Sequence, residues 1–212
     1  MIKEANAVFD PGEIVLTGKE VVLRPLALSD ADGLWEAARE DRATYLYNHV
    51  PDSLEMSSIY IKAALVTREG GRRYPFAILR EGKIVGTTSF SDYDCWHWPS
   101  HTGKKNSISP DVCEVGYTWL ASSAQRTGCN TECKFLLFQY AFEVWGVCRI
   151  AIRTDERNER SRRAIERVGG QFEGIKRADK PGWDGTIRNS AYYSLVDSEW
   201  PAVKARLVGL IQ

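Results

Sequence analysis

A mixed α/β (α+β) domain around one central sheet is the fold this sequence predicts, and three features predict it. Strand-like apolar runs recur from EIVLTGKEVVLRPL near the start to IRNSAYYSLV near the end. Segments with helical spacing of apolar residues stand between them. The resulting order is a strand hairpin, two helices, three strands, then helix, strand, helix, two strands and a last helix. This order places antiparallel hairpins in the middle and a β-α-β-α-β end after them. The 212 residues suit a single domain over 1–212, long enough to bury a core.

Each element has a local reason. EIVLTGKEVVLRPL (13–26) reads as a hairpin turning at Thr17, Gly18 and Lys19. Ser29, with Asp32 three residues on, caps a short helix whose apolar face is Leu34, Trp35 and Ala38. A second helix spans about 53–68, with Met56, Ile59, Tyr60, Ala63 and Ala64 as its apolar positions, and Gly70 and Gly71 end it. YPFAILR, EGK and IVGTTSF (74–90) form the clearest hairpin. Residues 91–112 break the pattern and read as an insertion loop. CEVGYTWL (113–120) is a strand, followed by a small polar turn and a helix over about 130–145. VCRIAIRT (147–154) is a strand and NERSRRAIERVG (158–169) a helix. QFEGIKR (171–177) and IRNSAYYSLV (187–196) are strands. The final EWPAVKARLVGL tolerates Pro201 in its first turn.

Composition excludes some classes. Lys plus Arg equals Asp plus Glu at 28 each, so the basic excess that non-specific nucleic-acid binding needs is missing. No apolar run is long enough to span a bilayer, and the first residues lack a signal-like apolar stretch. The five cysteines contain no CxxC pair. These points lead to the expectation of a cytoplasmic protein with free thiols and no nucleic-acid or membrane partner. Cys95, His97, His101 and Cys113 could offer zinc two sulfurs and two imidazoles, but C-x-H-x3-H-x11-C matches no familiar zinc module. No metal is expected, and the loop is read instead as a wall of the acceptor site, with Trp96 and Trp98 packing there or on a partner chain. Cys129 and Cys133 are read as packing residues.

The stretch after the 113–120 strand carries the chemistry. Gln125, Arg126, Thr127, Gly128, Cys129, Asn130 and Thr131 link a strand to a helix, where free backbone N–H groups and the positive helix end attract phosphate. Gly128 lets a ligand come close to the backbone. GEIVLTGKE (12–20) is not a Walker loop, because five residues separate its glycine from the GK and Glu20 replaces the hydroxyl residue. A second segment, TDERNERSRRAIERVGGQFEG, sets Asn158 and Ser161 on one face of a helix start amid several arginines.

Together these segments resemble the GNAT superfamily of acyl-CoA N-acyltransferases, in the branch of the RimJ- and RimL-type ribosomal-protein acetyltransferases. Gln125-x-x-Gly128-x-Asn130 matches Q/R-x-x-G-x-G/A except at its last position, and Asn158, Ser161, Glu166, Arg167 and Gly169 match a second signature. LTGKEVVLRPLALSDADGL and EGIKR also look like that branch. The resemblance implies a GNAT fold: a mostly antiparallel sheet, splayed at the cofactor site and flanked by helices. It implies acetyl-CoA as cosubstrate, with its pyrophosphate on the amides of residues 126–131. The pantetheine arm would lie along the strand edge that ends at Trp119 and Leu120, with Asn158 bonding the arm and Ser161 near the sulfur. The activity implied is acetyl transfer to a primary amine, either a protein N-terminus or a small molecule. Glu114 is the candidate base and Ser161 the candidate proton donor; Asp179 and Asp184 are weaker bases, and Tyr192 or Tyr193 alternative donors. A non-catalytic CoA-binding sensor or scaffold is the alternative function. The insertion and the C-terminal helix are the candidate surfaces for a homodimer.

Overall fold

The computed structural model describes residues 9–102 and 109–211. Among these residues eight strands form one sheet: β1 (Leu16–Thr17), β2 (Val21–Pro25), β3 (Arg73–Arg80), β4 (Lys83–Asp94), β5 (Val112–Leu120), β6 (Arg149–Asp155), β7 (Gln171–Pro181) and β8 (Ile187–Val196). Their spatial order is β1-β2-β3-β4-β5-β6-β8-β7. Every neighbouring pair is antiparallel except β5 and β6, which run parallel.

Five helices cover the sheet: α1 (Ala31–Arg39), α2 (Leu54–Glu69), α3 (Cys129–Gln139, continuing as a π-helical turn to Trp145), α4 (Glu159–Arg167) and α5 (Trp200–Ile211). β3 shows why both faces need cover. Tyr74, Phe76 and Ile78 pack into one core with Leu137, Phe138 and Leu207, while Ala77 packs into the other with Leu34, Tyr60 and Ala64. Alternation along one strand thus feeds two cores, one beneath α3 and α5 and one beneath α1 and α2.

The structure redraws several local expectations. Ser29 is not the cap of α1: a short 3-10 turn, Leu28–Asp30, precedes that helix. There the Asp30 carboxylate accepts from the Ala27 amide at 2.8 Å and from Arg24 at 2.6 and 2.8 Å. Ser53 does cap α2, its hydroxyl accepting from the Met56 amide at 3.1 Å. The buried stripe of α2 is Ser57, Tyr60, Ile61 and Ala64, whereas Ile59 is 47% exposed. Strand β4 runs on through Ser91–Asp94, so the insertion begins later than residue 91. Polar side chains did not stop the strand because the ladder is made by the backbone: Ser91 still pairs with both Arg73 and Glu114. β7 likewise extends to Pro181.

Candidate active site

The sheet opens where its one parallel pair ends. β5 and β6 are paired only at Val112↔Arg149, Cys113↔Ile150 and Glu114↔Ala151. Beyond Glu114 the β6-facing edge of β5 has no strand beside it, while its other edge stays on β4 as far as Leu120. A bulge sits on that second edge. Ser89 pairs with Gly116 and Thr87 with Trp119, which leaves one extra residue on β5, and Tyr117 takes a left-handed φ of 51°. Gly86 lets the two strands close again, since a Cβ there would lie 2.1 Å from the Trp119 carbonyl oxygen. The gap between β5 and β6 holds a cavity of about 790 Å³, in the size range of small-molecule and cofactor sites.

One end of the cavity is the strand-to-helix turn. Trp119, Leu120, Gln125, Arg126, Thr127 and Asn130 all line it. Arg126 adopts φ 60°, a left-handed conformation that a non-glycine residue holds only under local constraint. Gln125 supplies part of that constraint. Its Nε2 donates to the Leu120 carbonyl at 2.8 Å and to the Thr44 hydroxyl at 3.1 Å, and its Oε1 accepts from Arg160 at 3.0 Å. The side chain of Gln125 therefore buckles the turn to α4 and to the 41–45 segment. Gly128 sits at φ −65°, and a Cβ there would meet nothing within 4 Å. Neither backbone strain nor packing within the chain demands a glycine there.

For three of the expected cofactor contacts only the backbone amide is in question. Gly128, Cys129 and Thr131 do not line the cavity. Cys129 and Thr131 are buried in the first turn of α3, so only their backbone could serve a ligand. The Cys129 amide already donates to the Thr127 hydroxyl at 3.2 Å. The amides of Asn130 and Thr131 remain without an intrahelical acceptor, as helix geometry requires of a first turn.

Asn158 and Ser161 line the same cavity from the start of α4. Asn158 is the N-cap: its Oδ1 accepts from the Ser161 amide at 3.0 Å. Its side-chain amide hydrogens keep their capacity to donate.

The other end is set by Glu114, only 7% exposed. Burial raises its pKa to about 7, and the neighbouring Arg153 offsets only part of that rise. Arg153 Nε lies 2.6 Å from Glu114 Oε2, yet its N–H is turned off the line of contact. The same guanidinium is held by Asp92 and reaches the Tyr192 hydroxyl at 3.3 Å. Across the gap, α3 places Lys134 on the cavity, 5% exposed, with Nζ donating to the Thr118 hydroxyl at 2.7 Å. Burial pulls the pKa of this amine down to about 8. The sequence reading missed Lys134. Its signal was available: it stands one helical turn after Asn130, hence on the same face.

His49, Tyr60, Arg73, Tyr117 and Trp183 complete this end. Trp183, at the β7–β8 turn, stacks on His49 with ring centroids 3.8 Å apart. The expected wall from the insertion is not seen among the described residues. The Trp96 and Trp98 indoles donate to Asp94 and Asp111 at the base of their own loop, outside the cavity; residues 103–108 lie outside the described residues. Cys113 is fully buried in the core, whereas Cys95 and His101 are exposed. No group of three or more metal-ligating side chains is assembled among the described residues.

The weaker candidates fall away from the cavity. Asp179 is in β7 rather than a loop. Burial raises its pKa, but the hydrogen bond from Lys176 and its neighbours outweigh this and hold it at about 2. Hydrogen bonds from Thr186 and Arg157 hold Asp184 at about 2 as well. A carboxylate with so low a pKa is a weak proton acceptor. The Tyr193 hydroxyl donates to Glu166 at 3.1 Å and accepts from Arg162 at 2.9 Å, and neither Tyr192 nor Tyr193 lines the cavity.

A sheet splayed at one parallel pair, with a turn of helix amides at one end and a buried carboxylate at the other, is the frame of an acetyltransferase fold. The family model described as an acetyltransferase (GNAT) domain matches residues 20–171, and the chain belongs to this family. The chain is 37% identical over 91 residues to the Bacillus subtilis (strain 168) protein named "Putative ribosomal N-acetyltransferase YdaF". That match covers 43% of this chain and spans about half, 49%, of the curated relative. Among solved structures, a GCN5-related N-acetyltransferase from Brucella melitensis superposes with a TM-score of 0.79 at 28% identity, covering 95% of this chain and 87% of that one. Mycobacterium smegmatis RimJ, solved in complex with CoA-disulfide, shares the fold with a TM-score of 0.71 at 21% identity over 93% of this chain and 92% of that one. Among the described residues no helix is long and apolar enough to cross a membrane.

Proposed function

We propose that this chain transfers the acetyl group of acetyl-CoA to a primary amine by direct attack on the thioester. The observation that carries this reading is the unpaired edge of β5 beyond Glu114, which lines a cavity running from the Gln125–Asn130 turn to a buried carboxylate. The free amides of the α3 start, with Arg126 beside them, suit a diphosphate. The open strand edge at Trp119 and Leu120 suits the amides of a pantetheine arm, which bond there as an added strand would. Asn158 has donors for the same arm. Glu114 suits the base, since a pKa of about 7 lets it hold or release a proton at neutral pH.

In this reaction Glu114 takes the proton from the acceptor ammonium. The amine nitrogen then forms its bond to the thioester carbon as the carbon–sulfur bond breaks. Ser161 supplies a proton to the departing sulfur from the start of α4 and recovers one from the newly bonded nitrogen, which sheds its second proton as the neutral amide forms, while backbone amides of the bulged strand face the developing oxyanion. The Bacillus subtilis relative is named as a ribosomal N-acetyltransferase, so a protein amine stands beside small amines among the candidate acceptors. The five cysteines are all unbonded thiols, in keeping with work in the reducing cytoplasm.

Release of free thiol from acetyl-CoA, followed with a panel of peptides and small amines, tests this reading. Amine-dependent release is expected. Tight acetyl-CoA binding without release for any amine would instead favour a non-catalytic CoA-binding module.

A further inference from the structure

We infer that the Glu114 end of the cavity is an oxyanion site, and that the acceptor is a small amine carrying its own carboxylate or phosphate. This rests on the transferase reading above and names the substrate class for the same site.

The inference begins with charges that lack partners. Arg73 is 8% exposed and lines the cavity. Its Nε donates to the Ser89 hydroxyl at 2.8 Å, and among the described residues its Nη2 has no hydrogen-bond partner and no carboxylate pairs with it. A buried guanidinium without a counter-ion is costly in a folded chain. Its position is nevertheless fixed, because the Tyr117 ring lies 3.8 Å from the guanidinium carbon and the Tyr60 ring 5.8 Å. Aromatic faces hold a cation in place without neutralising it.

Two more cations face the same space. Lys180 and Arg188 line the cavity from the β7–β8 hairpin. Arg188 donates Nε to the Ser190 hydroxyl at 2.9 Å, and among the described residues neither it nor Lys180 forms an ion pair. The carboxylates nearby are engaged elsewhere: Asp92 and Glu114 with Arg153, Asp155 with Arg157, and Asp179 with Lys176. The local surplus is therefore positive.

The coenzyme does not account for this surplus. Its phosphates belong to the Gln125–Asn130 turn, beyond Leu120. The Arg73 guanidinium lies on the Tyr117 ring, three residues short of Leu120 on β5, about 10 Å from the strand end at the rise of an extended strand, and the turn lies further on. The oxyanion that fits must enter with the acceptor. Its amine would then sit at Glu114 while its charged group meets Arg73, Lys180 or Arg188. The Trp183–His49 stack lines the same end of the cavity.

Matched amines test the site. O-phosphoethanolamine, β-alanine and uncharged ethanolamine are compared as acceptors at saturating acetyl-CoA, beside a peptide with an N-terminal aspartate. Each is also titrated by calorimetry into protein saturated with CoA, which reads binding without chemistry. The expected result is a kcat/KM for one of the two charged small amines at least about tenfold above that of ethanolamine. Arg73→Gln should erase that preference through KM. Because Arg73 also packs between two tyrosines, Arg188→Gln provides a second variant with the same expectation. Equal use of ethanolamine, a preference that survives both substitutions, preference for the peptide, or no calorimetric binding of either small anion would each overturn the inference. In all four cases amine-dependent thiol release would leave the transferase reading standing. Anion binding with no thiol release from any amine would overturn that reading instead and leave the oxyanion site in place.

Discussion

At the Gln125 end of the cavity the lining comes mostly from two short runs of chain, 119–130 and 158–167, joined by Tyr45, whose hydroxyl donates to the Leu120 carbonyl at 3.2 Å. At the Glu114 end, His49, Tyr60, Arg73, Tyr117, Arg153 and Trp183 come from six separate elements or loops. The first end is made largely of backbone: helix-start amides, a left-handed Arg126 and the Asn158 cap. The second is made of side chains whose charges are shifted or unmatched. The contrast implies different tolerances. A backbone site survives most side-chain changes but fails when something fills the space before it. A side-chain site fails when one functional group is removed, even when shape is kept.

The largest expected effect tests the side-chain end. Glu114→Gln preserves shape and removes the base, so kcat should fall by roughly 10²–10⁴-fold, with acetyl-CoA affinity unchanged. In the parent protein kcat/KM should rise with pH through about 7, because the raised pKa keeps Glu114 protonated, and unable to accept, below that value. The variant should lack that limb. A pH–rate profile that is the same in both proteins would remove Glu114 from the mechanism.

Next comes the backbone end. A Cβ added at Gly128 meets no atom of the chain within 4 Å and needs no unusual φ, so Gly128→Val should cost the fold only what a valine N-cap costs, about 1 kcal/mol. Its branched side chain would enter the open space beside the α3 start, where the diphosphate is proposed to approach. Acetyl-CoA affinity should drop by about 100-fold, equivalent to roughly 2.7 kcal/mol. Undiminished affinity in calorimetry would place the phosphates somewhere else.

The same contrast decides what could be read from sequence. The strand order, the five helices and the Gln125–Asn130 turn were legible because each is local: alternation, spacing and turn residues sit within a dozen positions. Asn158 and Ser161 were legible for the same reason. Arg73, His49 and Trp183 were not, because nothing in YPFAILR says that its preceding arginine will be trapped between Tyr60 and Tyr117. The assignment of Trp96 and Trp98 to the acceptor wall failed on the same ground. Two tryptophans in a long loop carry no local sign of which aspartates will bind their indoles. Glu114 stood between: its place at a strand start could be read, but its raised pKa depends on burial that only the packed sheet supplies.

Lys134 lies between the two ends and gives the smallest effect. Its amine is buried under the splayed strand, with the Thr118 hydroxyl as its partner. Its pKa falls from 10.5 to about 8, so the folded chain disfavours the charged form. Above pH 10.5 the amine is neutral folded or unfolded and carries no penalty. As pH drops toward 8 the unfolded chain takes up the proton first, and stability is lost until the folded amine also protonates. Below 8 the penalty is constant. Lys134→Met should therefore stabilise the protein at pH 7 by roughly 2 kcal/mol after allowance for the lost hydrogen bond. That gain should vanish in denaturant titrations above pH 10.5. Thr118 would keep its 2.8 Å contact with Thr88, so no buried hydroxyl is orphaned. A gain that persists at high pH would mean that methionine simply packs better. A loss at pH 7 would mean that the ammonium is held by more than one hydroxyl, and that the gap between β5 and β6 needs its charge even without a ligand.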